Sequence, residues 1–124
     1  MKIVISAKTL SPEARLEPRF GRAAAFVFVD TETGERLTQA NPAAGAAGGA
    51  GVQAAEFIVQ QGADAVISGT FGPNAYEVLE ASNAELYCAQ SGTIDKVVQR
   101  FLKGQLDRFE EAPGRRRHRG RGGW

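Results

Sequence analysis

Four short segments hold the residue types that could do chemistry. Pro18-Arg-Phe-Gly-Arg22 carries two guanidinium groups, Arg19 and Arg22, on either side of Phe20 and Gly21. Asn41–Gly51 is built only from Asn, Pro, Ala and Gly, with Gly45, Gly48, Gly49 and Gly51. Phe71-Gly72-Pro73-Asn74 and Ser91-Gly92-Thr93 each lead into a stretch of helical spacing. Glycine just before a helix leaves the first-turn N–H groups accessible, and those groups attract anions together with the helix dipole. Lys8, Arg19 and Arg22 add full positive charge in one of these loops. The chemistry implied is anion binding by backbone amides and arginines. Each helix terminus contributes about 0.3–1 kcal/mol at a surface. Three of them fall short of the ~8 kcal/mol of a micromolar complex, so shape, apolar contact from Phe20 and Phe71, and the arginines must supply the rest. The same glycines serve equally well as plain turns and caps, and spacing alone does not separate the two readings.

Other chemistries lack their residues. Gly-X-X-X-X-Gly-Lys-Ser/Thr is absent, and Gly49-Ala-Gly51 has no third glycine at dinucleotide-loop spacing. Gly-X-Ser-X-Gly is absent too, and the one histidine, His118, lies near the C-terminus, away from any core Ser or Cys. No enzyme activity is expected. Cys88 sits at the end of a candidate strand, where it is either a thiolate beside a bound metal cluster or a small buried hydrophobe.

These segments need elements to position them. Lys2–Ala7 is rich in Ile and Val and reads as a buried strand. Ala24–Asp30 and Glu35–Ala40 read as a hairpin closed by Thr31–Gly34. Val52–Gln61 is a helix with Gly62 as C-cap. Ala63–Ser68 is a fourth strand, and Asn74–Ala81 is a helix with Pro73 at its first position. Glu85–Ala89 is a fifth strand and Ile94–Leu102 a third helix, while residues 105–112 are polar and hard to place. The later strand–helix alternation implies right-handed parallel crossovers, so the expected fold is a mixed α/β sheet covered by helices. Ligands of open α/β sheets sit at the carboxyl ends of parallel strands, which is where the loops after the first, fourth and fifth strands lie.

Size and charge bound the rest. A chain of 124 residues with 43% hydrophobic and 23% charged residues fits one soluble domain, taken as residues 1–112. Its one cysteine allows no internal disulfide, and no apolar run is long enough for a membrane span, so a cytoplasmic location is expected. Residues 1–7 lack the apolar core of a signal peptide. Whole-chain charge is +1, but residues 1–112 carry ten basic and fourteen acidic residues, a net of −4. The difference is five arginines within residues 113–124, a low-complexity basic tail expected to be disordered. With no aromatic interleaving beyond Trp124, it reads as a solvated tail rather than a nucleic-acid arm.

Pro18-Arg-Phe-Gly-Arg22, Asn41-Pro-Ala with the Gly-rich run to Gly51, and Gly72-Pro-Asn-Ala75 with Ser91-Gly-Thr93, in this order and spacing, resemble the dinitrogenase iron–molybdenum cofactor biosynthesis family over residues 1 to about 105. The resemblance implies a ribonuclease-H-like three-layer fold with a mixed five-stranded sheet in the order 3-2-1-4-5. It also implies non-covalent binding or carriage of an anionic metal–sulfur cluster, of the molybdenum–copper sulfide or iron–molybdenum cofactor type. Cluster-assembly or cell-division proteins are the implied partners, and a monomer or weak dimer the implied state. Many relatives carry histidines before Phe-Gly-Arg and in the Asn-Pro loop, where this chain has Arg19, Ala43 and Ala44. The residues then expected to hold a cluster without ligating its metals are Arg19, Phe20, Gly21, Arg22, Asn41, Gly45, Gly48, Gly49, Phe71, Gly72, Pro73, Asn74, Ser91, Gly92 and Thr93. A module of the same fold that binds a protein partner and no cluster is the alternative.

Overall fold

Ile3, Val4, Ile5 and Ala7 have no exposed surface, as a strand covered on both faces requires. They form β1 (Lys2–Ala7) in the middle of the sheet of a computed structural model that describes residues 1–46 and 48–109. The expectation of a disordered basic tail lies outside the described residues. β1 pairs antiparallel with β2 (Ala25–Asp30), and β2 with β3 (Arg36–Ala40). The hairpin turns at Gly34, whose φ of 80° suits glycine. On the other side, β4 (Ala65–Ser68) runs parallel to β1, and β5 (Glu85–Cys88) parallel to β4.

The helices are α1 (Ala50–Gln60), α2 (Pro73–Ala81) and α3 (Ile94–Leu102). α1 begins two residues before the sequence pattern suggests. Pro73 takes the first position of α2, where its missing N–H costs nothing. α1 and α2 cover one face of the sheet, burying Val4, Phe26, Phe28, Val66 and Leu86 with Ala54, Ile58 and Leu79. α3 covers the other, where Val97 and Val98 meet Ile3, Ile5, Val27 and Ile67. The alternation Ile3/Val4/Ile5 between the two cores is the period of two that a strand imposes. No helix among the described residues is long and apolar enough to cross a membrane.

The expected five-stranded sheet is corrected to six strands, in the order β3-β2-β1-β4-β5-β6. The added strand, β6 (Asp107–Arg108), pairs antiparallel with Tyr87 and Cys88 at the sheet edge. A two-residue strand has no periodicity to read. It is held by its surroundings: Arg108 lies over the Tyr87 ring at 5.4 Å, and Phe109 N–H donates to the Leu86 carbonyl at 2.8 Å.

Candidate functional site

The loop after β1 is strapped to the end of β4. Thr70 N–H donates to the Pro18 carbonyl at 2.7 Å, and Phe20 N–H donates to the Thr70 carbonyl at 3.1 Å. The Ser6 hydroxyl donates to the Glu17 carbonyl at 2.7 Å and lies 2.8 Å from the Ser68 hydroxyl, so both buried serines are satisfied. Gly69 makes the close approach possible: a Cβ there would lie 2.7 Å from the Pro18 oxygen. Phe20 then pins the following 3₁₀ turn (Phe20–Arg22), with its ring 1% exposed and 5.3 Å from the rings of both Phe26 and Phe71. Arg19 and Arg22 flank this anchor and stay exposed.

Two helix N-termini meet the turn. α1 is capped by Gly49 in the left-handed region (φ 71°), and α2 by Gly72; neither has a side-chain cap. The first ladder bonds run from Gln53 N–H to the Gly49 carbonyl and from Tyr76 N–H to the Gly72 carbonyl. The amides of residues 50–52 and 74–75 therefore have no intrahelical partner. Small residues bring these ends together. A Cβ on Gly51 would touch the Ala75 Cβ at 3.4 Å, and one on Gly21 would touch the Gly51 Cα at 3.5 Å. Between them lies a cleft of about 410 Å³, lined by Arg19–Arg22, Gly49–Val52, Thr70 and Gly72–Ala75.

The cleft is cationic and offers no metal ligands. Glu17 lies beside Arg19, accepting from its backbone N–H at 3.0 Å and 3.7 Å from its Nε. Arg19 is the exposed partner of that pair and Glu17 the covered one, at 67% and 12% side-chain exposure. Arg22 makes no ion pair with any described residue. No Cys, His, Asp or Glu lines the cleft. Among the described residues no group of three such side chains could hold a metal ion. Hydrogen-bond donation and positive charge are what this surface offers.

Of the residues singled out from sequence, Arg19, Phe20, Gly21, Arg22, Gly49, Gly51, Gly72, Pro73 and Asn74 come together here. The rest do not line the cleft. Phe71 is buried against Phe20 and Phe109. Asn41 is buried and self-contained, donating from Nδ2 to the Ala23 carbonyl and accepting at Oδ1 from Ala43 N–H. Gly45 and Gly48 stay in the loop before α1. Ser91, Gly92 and Thr93 sit elsewhere because α3 is on the opposite face. The Thr93 hydroxyl accepts from Lys96 N–H, Ile94 N–H donates to the Ala14 carbonyl, and the Gly92 carbonyl accepts from Leu16 N–H. The first turn of α3 is thus capped by the protein itself. Thr70, Ala50, Val52 and Ala75 were not singled out from sequence; Thr70 lies two residues past the end of β4, in the loop to which the strand-end rule points.

Among the described residues two titratable groups are shifted, both in other parts of the fold. The Glu32 N–H bonded to Asp30 holds that carboxyl below its usual value. Burial raises the Tyr87 phenol, and its hydrogen bond to Glu85 adds to the effect. Cys88 lines a separate hollow with Arg100 and Arg108; its Sγ is 3.3 Å from the Gly69 carbonyl and accepts from Gln90 Nε2 at 3.4 Å.

Comparison with known proteins places this architecture. The dinitrogenase iron–molybdenum cofactor family matches residues 1–104, which include every strand but the last and all three helices. The chain belongs to that family. Solved structures similar to it include the apo form of the orange protein of Desulfovibrio gigas, 34% identical with a TM-score of 0.82, over 87% of this chain and 92% of that one. A NifB-like protein of Thermotoga, solved by NMR, is 27% identical with a TM-score of 0.77, over 89% and 97% of the two chains. An uncharacterized protein of Methanocaldococcus jannaschii is 35% identical over 99 residues, covering 77% of this chain and 84% of its own length. Membership in the family and these neighbours relate the chain to metal-cluster binding or cofactor biosynthesis.

Proposed function

We propose that the cleft holds an anionic metal–sulfur cluster non-covalently, and that the protein carries or stores it in the cytoplasm without catalysing a reaction. The observation that carries this reading is the convergence of two glycine-capped helix N-termini and two arginines on one hollow with no ligating side chain. A thiometallate has a negatively charged, soft sulfide surface. Free amides donate to its sulfides, guanidinium groups neutralise it, and the apolar faces of Ala50, Val52, Pro73 and Ala75 accept its poorly hydrated surface. A donor set without thiolate or imidazole suits a cluster that arrives complete with its own sulfides. The molybdenum–copper sulfide type fits this description best, with an iron–molybdenum type as the next candidate.

The test is anaerobic incubation with tetrathiomolybdate, with and without copper, followed by desalting, a visible spectrum and metal analysis. Retained charge-transfer bands with stoichiometric molybdenum are expected. Charge-assisted hydrogen bonds contribute about 1.5–3 kcal/mol each, so replacing Arg19 and Arg22 together by alanine should weaken retention at least tenfold. Unchanged retention in the double variant would place the cluster elsewhere. A wild-type protein that stays colourless with molybdenum, copper and iron sources alike would favour a module that binds a cluster-assembly or cell-division protein.

A further inference from the structure

The two edges of the sheet are built differently. At one, β6 offers two residues, both charged, Asp107 and Arg108. At the other, β3 runs for five residues and pairs with β2 without a bulge. Natural sheets protect a long edge with proline, lysine, a bulge or a covering loop. Residues 36–40 hold no proline and no lysine. Their one charge, Arg36, is drawn into an ion pair with Asp95 in the first turn of α3. Leu37 stands 57% exposed.

The ladder decides which backbone groups are open. The Glu35 carbonyl accepts from Asp30 N–H, and Asn41 N–H donates to the Ala24 carbonyl, both at 3.0 Å. Hydrogen-bonded pairs recur at every second residue of an antiparallel ladder, so Leu37 and Gln39 also bond to β2. Arg36, Thr38 and Ala40 then turn their N–H and C=O groups outward, where no other described segment bonds them. Leu37 and Gln39 share the α1/α2 face of the sheet with their partners Phe28 and Phe26. Beside them lies a hollow of about 380 Å³, lined in part by Phe28, Leu37, Gln39 and Gln61.

We infer that β3 pairs antiparallel with β3 of a second copy of this chain, joining two six-stranded sheets into one across a two-fold axis at Thr38. This does not rest on the cargo reading above. Self-complementarity selects both the occupant and the register. An axis through Thr38 sets Thr38 against Thr38, Arg36 against Ala40 and Leu37 against Gln39. Every open group on each edge then meets a partner, and the two Arg36 side chains stand four residues apart, about 13 Å along the strands. An axis through Arg36 would oppose the two guanidinium groups directly, which destabilises a strand pair. An axis through Ala40 would bring Pro42, which has no N–H, against Thr38. In the Thr38 register each exposed Leu37 gains cover beside the Gln39 of the other copy, at the rim of its hollow. Five residues a side make a small interface, so the dimer is weak and concentration-dependent, with a Kd on the order of 100 µM.

Sedimentation velocity from about 10 µM to about 1 mM should show the mean mass rising from one chain toward two. Thr38→Pro removes an outward N–H that the ladder to β2 does not use, a change edge strands tolerate. Leu37→Lys places a charge on the joined face. Each should weaken association about tenfold or more, while far-UV circular dichroism shows a folded chain. If the proline variant fails to fold, the lysine variant carries the test. Thr38→Cys in a Cys88→Ala background reads the register. Hydrogen-bonded antiparallel pairs hold their Cα atoms about 5.5 Å apart, within disulfide reach. Mild oxidation should therefore link two chains about tenfold faster than with Ala40→Cys in the same background, where the two thiols stand about 13 Å apart. A single-chain mass over the whole range would overturn the dimer and leave the edge to an extended segment of another protein. A dimer that both edge variants leave unchanged, or faster linking through Ala40→Cys, would overturn it as well.

Discussion

Gly69→Ala tests whether the strap between Pro18 and Thr70 sets the position of the cleft. The added Cβ would lie 2.7 Å from the Pro18 oxygen, 2.8 Å from its Cβ and 2.9 Å from its Cα. Two of these three are backbone atoms, so no side-chain rotation relieves the clash. The segments must separate, which weakens the Thr70–Pro18 and Phe20–Thr70 hydrogen bonds. Overpacking costs about 1–3 kcal/mol, and each weakened bond up to about 1 kcal/mol. A loss of about 2–4 kcal/mol lowers Tm by roughly 8–16 °C in a domain of this size. Urea unfolding followed by far-UV circular dichroism would measure it, with Gly48→Ala as control because nothing lies within 4 Å of a Cβ there. Arg19 and Arg22 ride on the strap, so cluster retention should fall even in samples that are fully folded. A stability loss below about 0.5 kcal/mol, within the range of neutral surface changes, or unaltered retention, would refute the claim that this contact positions the site.

Thr93→Ala removes the hydroxyl that accepts from Lys96 N–H, and should cost about 1 kcal/mol in urea unfolding with no change in cluster retention; reduced retention would bring α3 into the site. Asp30→Asn tests the acid limb of stability. The Asp30 carboxyl titrates below its usual 3.8 because Glu32 N–H bonds the charged form, so its stabilisation is complete above that value and lost as pH falls through the lower folded one. As pH falls below about 4 the unmodified protein should lose stability more steeply than the Asn variant, and parallel curves would contradict the assignment.

Most of the sheet was legible because Ile3-Val-Ile5 and Phe26-Val-Phe28-Val29 are short runs of β-branched and aromatic residues bounded by turn signals, the pattern of strands buried on both sides. Gly34, Gly62 and Pro73 marked a turn, a helix end and a helix start by conformational need. β6 was not legible, since its two residues are polar and owe their pairing to Tyr87 and Leu86 across the edge. The cleft was half legible. Arg19–Arg22 and Gly72–Asn74 follow from the strand-end rule. Ser91–Thr93 obeyed the same rule and yet lies apart, because α3 leaves β5 toward the opposite face and Thr93 supplies its own cap. The family resemblance put Asn41 among the residues expected to hold a cluster. Its two hydrogen bonds to Ala23 and Ala43 instead make it a brace for its own loop.

The carboxylate of Glu17, just outside the cleft lining, gives Arg19 a resident counter-anion. Because it already leans on both the N–H and the Nε of Arg19, any guest that claims this guanidinium displaces an internal rival, so loading is an exchange of one ion pair for another. The free energy gained is then a difference between two similar attractions, which caps the grip. Arg22 has no such rival among the described residues, so of the two guanidinium groups it is the one that meets a guest without an exchange.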